Sequence, residues 1–478
     1  LKENLNIQVV YDWTASTSDY DEKMSLCIGS NTIPEIMNVN ATQYRALLKY
    51  DMIQPLDKYF DDYASDALKS YVKSGGEELQ KCITNEDGEL MAIPAPNLTA
   101  GGVNEMWIRQ DWLDALGLDV PRTWDELAEV AKAFVTRDPD GNGENDTIGI
   151  LGPGNSDHMN AVGGNQFGLD PLFSCFQSYP QYWLKSEDGS VEYGSIQPET
   201  KTALENISKL YADGVIDPET LVRSDSKEPL LAGKVGIFFG PWWCAYTFAD
   251  TTLSGSADWR AYFTPLSEDG KYYTHMAEPT TQYVVASKDC KNPEAAFKII
   301  NYLVANEQKW VEEGVTSTEM GTGDFYPLYN TYDNADEIEK SYEALTKYLA
   351  GDISMDDVDF STHKLLKNDM EAVTKLKKKP YDDFSLKYWN LDSDLAKTNL
   401  PRLVAIMVGD APLVNEEYVP VYNAYNGQTE TMEAKWANLK KMEEETFAKI
   451  IMGKADISEF DTFVENWKKQ GGDQILKE

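Results

Sequence analysis

Short runs of β-branched and apolar residues alternate along this chain with longer stretches whose apolar positions recur three and four residues apart. That is the pattern of strands alternating with amphipathic helices. Residues 1–10 read as the end of a helix running into a strand at 7–11. A helix is expected over 20–28, a strand over 35–39 and a helix over 42–50. Pro121 and Thr123 precede Trp124-Asp125-Glu126-Leu127, and acids in a first turn favour the positive end of the helix dipole, so a helix should run to Thr136. Residues 233–240 carry Val235, Ile237, Phe238 and Phe239 between glycines and predict a buried strand that Pro241 ends. Beyond residue 320 the pattern is mainly helical, with charged helices near 335–349 and 432–451 and a last one over 458–469. The alternation predicts α/β lobes with largely parallel sheets.

A chain of 478 residues exceeds what one core ordinarily organises, so two lobes are expected. The 43 Lys+Arg against 80 Asp+Glu give a formal charge of -37, which repels nucleic acid and anionic membranes. The densest basic run, 375–379, lies among acids and reads as a solvated helix face. With 42% hydrophobic residues the chain can bury enough surface to fold, and no apolar run is long enough to span a membrane. No leader is visible, and a leader and first strand are expected to precede residue 1. The five cysteines, Cys27, Cys82, Cys175, Cys244 and Cys290, show neither metal spacing nor an even count, so buried free thiols are the simplest reading.

The most specific motif follows the helix that ends at Thr136. In Asp138-Pro139-Asp140-Gly141-Asn142-Gly143-Glu144-Asn145-Asp146, side-chain oxygens at relative positions 1, 3, 5 and 9, with glycine at 6, can converge on one hard cation. Glu144 at position 7 would add its backbone carbonyl. Position 12, where a full EF-hand has a bidentate Glu, holds Gly149, so a structural calcium site is expected rather than a calcium sensor. Enzyme chemistry finds little support. The three histidines, His158, His275 and His363, are not spaced for zinc, no phosphate-cradling loop follows a strand, and carboxylate pairs carry no information in so acidic a chain.

Twelve tryptophans and 27 tyrosines are many, and several sit beside Gly, Pro or polar residues. An indole face suits the C–H face of a pyranose, while amides and carboxylates bond its hydroxyls. Core packing competes with this reading at any single aromatic. The run Phe239-Gly240-Pro241-Trp242-Trp243, just past a buried strand, is the one that favours a binding site.

The chain resembles the extracellular sugar-binding lipoproteins of ABC importers, particularly a calcium-bearing branch that includes alginate-oligosaccharide binders. The resemblance rests on Ile33-Pro34-Glu35-Ile36, Met91-Ala92-Ile93-Pro94, Trp107-Ile108-Arg109-Gln110-Asp111-Trp112-Leu113, Pro121-Arg122-Thr123-Trp124-Asp125-Glu126-Leu127, the calcium loop, Ala232-Gly233-Lys234-Val235-Gly236 with Pro241-Trp242, and residues 443–453 with 460–472. It implies a two-lobed, periplasmic-binding-protein-like type II α/β fold with additional C-terminal helices. One lobe would take residues 1–103 and 279–320, the other 104–278 and 321–478, with crossovers near 100–104 and 278–283.

The same resemblance implies an oligosaccharide bound between the lobes by hinge closure, and delivery to the membrane permease of an ABC importer. Trp242 matches the tryptophan that stacks on sugar in maltose-binding proteins, with Trp243 beside it. Asn38, Asn40 and Trp13 are nominated by the loops after the first strands, and Glu278 by the return crossover. Residues 381–425 have no close maltose-protein counterpart, so Trp389 and Tyr425 are nominated from composition and position. The metal set is Asp138, Asp140, Asn142, Glu144 and Asp146. A monomer at the bacterial cell surface or in the periplasm is expected, attached through an N-terminal lipid anchor outside this chain. A surface adhesin or sensor ectodomain of the same fold, or a peptide-binding importer subunit, are the alternatives.

Overall fold

A computed structural model of the chain describes residues 1–154, 166–186, 188–253, 257–312, 328, 332–360, 363, 366–374 and 400–478. The chain divides into two compact units, each built from separated stretches. The first comprises Leu1–Thr99, Glu278–Glu337 and Asp359–Lys367, the second Ala100–Ala277, Ile338–Val358 and Asn368–Glu478. By this division residues 100–103, which the sequence reading gave to the first lobe, fall in the second unit, and residues 278, 328, 332–337, 359–360, 363 and 366–367, which it gave to the second lobe, fall in the first. Eleven strands are described: β1 (Ile36–Asn40), β2 (Ile93–Pro94), β3 (Glu105–Arg109), β4 (Ile148–Ile150), β5 (Trp183–Lys185), β6 (Val191–Tyr193), β7 (Val235–Gly240), β8 (Trp259–Tyr262), β9 (Tyr272–His275), β10 (Gln282–Ala286) and β11 (Tyr418–Val421).

In the first unit the sheet order is β1-β10-β2, and β10 runs antiparallel to both neighbours. Its core joins Val39, Val284 and Ala286 to Leu47, Leu68, Leu79, Ile83, Phe297 and Ile300 of the surrounding helices. β1 leads straight into the helix Ala41–Lys49, because Asn40 caps it: its side chain accepts from the Gln43 N–H and the Gln43 side chain accepts from the Asn40 N–H. The expected strand over 7–11 does not form. Ile7 and Val9 are half-buried while Gln8 and Val10 are exposed, the alternation of a strand, yet the segment has no ladder partner among the described residues. Alternation sets which face is apolar, but a strand exists only when a neighbour takes up its N–H and C=O groups.

The second unit has a four-stranded sheet in the order β4-β7-β3-β8. Only the β4–β7 pairing is parallel there; β3 is antiparallel to both β7 and β8. The expectation of largely parallel sheets is thus corrected: β3 and β7 run in opposite directions, as do β10 and its neighbours in the first unit. All six residues of β7 are buried, as the continuous apolar run predicts. Gly236 is required there, since a Cβ would lie 2.3 Å from Cδ2 of Phe134 on the packed helix Trp124–Thr136. That helix starts with a capping box between Thr123 and Glu126.

C-terminal residues close the unit in two ways. β11 pairs in parallel with β9, a strand the helical reading of this region did not foresee. The 22-residue helix Glu430–Ile451 packs into the main core through Leu439, Phe447 and Ile451. It also buries Glu443, whose Oε1 and Oε2 accept from Ser195 Oγ and Tyr193 OH, both at 2.8 Å. All five cysteines are free. No described helix is long and apolar enough to cross a membrane.

Burial pushes the Glu443 carboxyl from its ordinary 4.5 up to about 7, although its two hydrogen bonds pull the other way. Burial likewise raises Asp170 from 3.8 to about 8. The native state therefore holds these protons more tightly than the unfolded chain, so stability is highest below the unfolded values and falls as pH rises to about 7 and 8. For Glu443 alone the change is on the order of 3 kcal/mol. The melting temperature should be higher at about pH 5 than at about pH 8, and Glu443→Gln should flatten the slope. A flat profile for the unaltered protein would contradict this account.

Candidate ligand-binding site

Gly240 ends β7 opposite Glu105, the first residue of β3. Pro241 cannot extend the ladder, and the chain turns into a short helical segment, Trp242–Cys244. Trp242 is 5% exposed and its indole Nε1 has no hydrogen-bond partner among the described residues; Trp243 is half-buried. On the other side of the turn, Gly409 packs so closely that a Cβ would stand 2.7 Å from the Trp242 carbonyl oxygen. Asp410 follows it, fully buried.

Among the described residues, neither carboxyl oxygen of Glu105 nor of Asp410 has a hydrogen-bond partner. Burial raises Glu105 well above the usual carboxylate range, helped by the charges of Asp410 and Glu416. Asp410 is pushed up to about 9 by burial, then by Glu339 and Glu343. Asp170 contrasts with both. Asn104 Nδ2 donates to its two oxygens at 2.9 and 3.1 Å, and the Asn104 carbonyl accepts from Tyr272 OH.

The sequence reading singled out the tryptophans here but not Glu105 or Asp410. A signal existed for Glu105, a lone carboxylate heading an apolar strand beside the expected crossover. Asp410 follows the apolar run 403–408, which carries no local mark of a site.

The other nominated residues have varied surroundings. Trp13 and Asn38 line one cavity of about 780 Å³ in the first unit, between residues 6–13 and β1, with Ala295, Lys298 and Ile299 on a further wall. Trp13 leans on Tyr20 with ring centroids 5.3 Å apart, and Tyr20 OH donates to the Asn38 carbonyl at 2.7 Å. Asn40 is engaged locally, capping its helix and donating to Asp21 at 3.1 Å. Glu278 is half-buried; burial raises its carboxyl and the Arg45 charge opposes the rise. Tyr425 sits edge-on to Trp183 at 6.2 Å and, partly buried, packs on the core of the second unit. Trp389 lies outside the described residues.

In the loop, Asp138 accepts from the Asn142 and Gly143 N–H groups, both at 3.1 Å. Asn142 Nδ2 donates to Asp140 Oδ2 at 2.9 Å and Asp146 Oδ1 at 3.2 Å, while its Oδ1 accepts from the Glu144 N–H at 2.6 Å. Lys234 pairs with Asp146 Oδ2 at 2.9 Å. Among the described residues no group of three or more carboxylate, imidazole or thiolate side chains is arranged to hold a metal ion. The donors nevertheless fit a hard cation in kind. Three carboxylates are gathered around one asparagine amide, and Asp140 is raised by burial and by its neighbours Asp138 and Asp146.

Sequence profiles of the family described as bacterial extracellular solute-binding protein match residues 1–310. A fructooligosaccharide ABC transporter substrate-binding protein, FusA of Streptococcus pneumoniae, is 30% identical over 48% of this chain and 43% of its own length, so the match spans under half of that relative. A polygalacturonan/rhamnogalacturonan-binding protein of Bacillus subtilis, YtcQ, is 24% identical over 96% of this chain and 82% of its own. FusA in complex with kestose superposes with a TM-score of 0.56, at 19% identity, covering 100% of this chain and 92% of that one. Its EF-hand mutant with fructo-nystose gives 0.54, at 18% identity over 98% and 90%. The fold is that of these two-lobed, type II solute-binding proteins.

Gly149, at position 12 of the loop, lies in β4 where a Cβ would stand 2.7 Å from the carbonyl oxygens of both Ala131 and Val215. A side chain there would displace backbone, so Gly149→Glu should lower stability by about 1–3 kcal/mol or more rather than complete an EF-hand. Thermal melts and calcium titrations of this variant would check it, and a stable variant with tightened calcium binding would refute it.

Proposed function

This chain belongs to the bacterial extracellular solute-binding protein family, and on that premise we propose that it captures an oligosaccharide outside the cell for the membrane permease of an ABC importer. The observation that carries the carbohydrate reading is Trp242. A buried indole that follows a buried strand through a Gly-Pro turn, its N–H unpartnered among the described residues, would supply an apolar face and a hydrogen-bond donor to a ligand lodged beside it. The relatives named for fructooligosaccharide and for polygalacturonan support the same class of ligand. Trp243 would extend the platform. In the first unit, Trp13, Asn38 and Glu278 are the residues nominated to complete the site, and capture would proceed by closure of the two lobes on the ligand. No step of covalent chemistry is part of this reading.

The loop 138–146 is proposed to hold one calcium ion through Asp138, Asp140, Asn142, Asp146 and the Glu144 carbonyl. The ion would neutralise the clustered carboxylates and tie the end of the helix Trp124–Thr136 to β4. Attachment to the cell surface through an N-terminal lipid anchor, and action as a monomer, complete the proposal.

Two outcomes follow. Trp242→Ala should cost about 2 kcal/mol or more in sugar affinity, at least tenfold, from lost stacking area. Calorimetry with kestose and with oligogalacturonides, alongside thermal melts of Trp242→Ala and of Trp242→Phe, separates lost binding from lost packing. A folded Trp242→Ala protein with undiminished affinity would remove Trp242 from the site. For calcium, a chelator should lower the melting temperature, since an ion bound only to the native state at about a hundred times its Kd contributes about 2.7 kcal/mol. Dialysed protein without calcium, melting identically with and without chelator, would reduce the loop to a turn.

A further inference from the structure

We propose that Lys234, which lies outside the loop 138–146, positions Asp146 as a calcium ligand, so that the last side chain of the site is held by the strand β7 and not by the loop itself. The inference rests on the calcium reading above and adds a residue that the loop motif does not contain.

The ladder brings Lys234 to the loop. β4 runs parallel to β7 with Ile148 opposite Val235, and the Ile148 N–H donates to the Lys234 carbonyl at 2.8 Å. The Lys234 N–H in turn donates to the Pro229 carbonyl at 3.1 Å. Both backbone groups of Lys234 are engaged, which fixes it beside the first residue of β4, just past Asp146. From there its Nζ reaches Asp146 Oδ2 at 2.9 Å, while Asp146 Oδ1 accepts from Asn142 Nδ2 at 3.2 Å. One oxygen is turned to the loop and the other to the strand.

Asp146 needs such a holder where the loop's first acid does not. Asp138 accepts from the N–H groups of Asn142 and Gly143, so the loop's own backbone orients it. Asp146 stands at the far end, and the residue that would close a full EF-hand beyond it is Gly149, whose place admits no side chain. Asp138, Asp140, Glu144 and Asp146 also repel one another along a short stretch, and Lys234 is the one cation paired with any of them among the described residues. Carboxylates that ligate metals are oriented by partners outside the ligand set, and losing such a partner weakens metal binding by about 10–100-fold. A positive charge beside a dication opposes binding, but the Lys234 and Asp146 side chains are 45% and 32% exposed, so water and salt screen that repulsion while the orienting hydrogen bond persists. Orientation therefore decides the sign.

The test is calcium titration by calorimetry on protein stripped with a chelator and desalted, with calcium-free melts run on each variant. The unaltered protein should bind one calcium ion, Lys234→Met should bind it at least about tenfold more weakly, and Lys234→Arg, which restores a charged donor, should stay within about threefold. An exposed ion pair contributes little to stability, so the calcium-free melting temperatures of all three should agree within a few degrees. A Lys234→Met protein that binds calcium as tightly as the unaltered one, or more tightly, would overturn the inference alone. So would a Lys234→Met protein unfolded without calcium, since Lys234 would then be part of the fold. An unaltered protein that binds no calcium would overturn the calcium reading and this inference with it.

Discussion

The second unit is organised by the burial of β7. A strand covered on both faces must be apolar throughout and must give every N–H and C=O to a neighbour, and Val235–Gly240 does so between β4 and β3. Its glycines serve different ends. Gly236 lets Phe134 approach, which seats the helix Trp124–Thr136 and so places the loop 138–146 that follows it. Gly240, with Pro241, ends the ladder at a fixed point, so Trp242 leaves the sheet from a rigid edge.

The buried carboxyls of this unit divide by how they are satisfied. Glu443 takes hydrogen bonds from Tyr193 and Ser195 and ties the helix Glu430–Ile451 to the segment Gly194–Ile196. Asp170 takes two from Asn104, whose carbonyl is bonded by Tyr272. Each is desolvated and paid for within the protein. Glu105 and Asp410 are equally desolvated and have no such partners. The difference lies in what is bonded within the protein: the oxygens of Glu443 and Asp170 accept hydrogen bonds from neighbouring side chains, and those of Glu105 and Asp410 accept none among the described residues.

Trp242 and Tyr425, both nominated from the sequence, meet different surroundings. Both follow turn-rich stretches, yet only Trp242 stands at the end of a buried strand beside unpartnered acids. Tyr425 lies against Trp183 in the aromatic packing that includes Tyr193, Trp436 and Trp467. The difference depends on the element each ring meets, which residue type cannot report.

The sequence by itself determined the elements whose signals are local: the capped helix Trp124–Thr136, the apolar run that became β7, the long C-terminal helix, the oxygen spacing of the loop 138–146, and the family through the order of its motifs. Tertiary structure decided whatever needed a distant partner. Residues 7–11 have the alternation of a strand but no ladder among the described residues, β11 exists because β9 lies beside it, and the sheets proved mainly antiparallel because direction is set by which strands meet. A side chain at position 149 is excluded by the backbones of Ala131 and Val215. Glu105 and Asp410, some three hundred residues apart, acquire their chemistry only when packing removes water from both. Hydrogen-bond periodicity and capping are written within a few neighbouring residues, whereas desolvation and pairing belong to the folded whole.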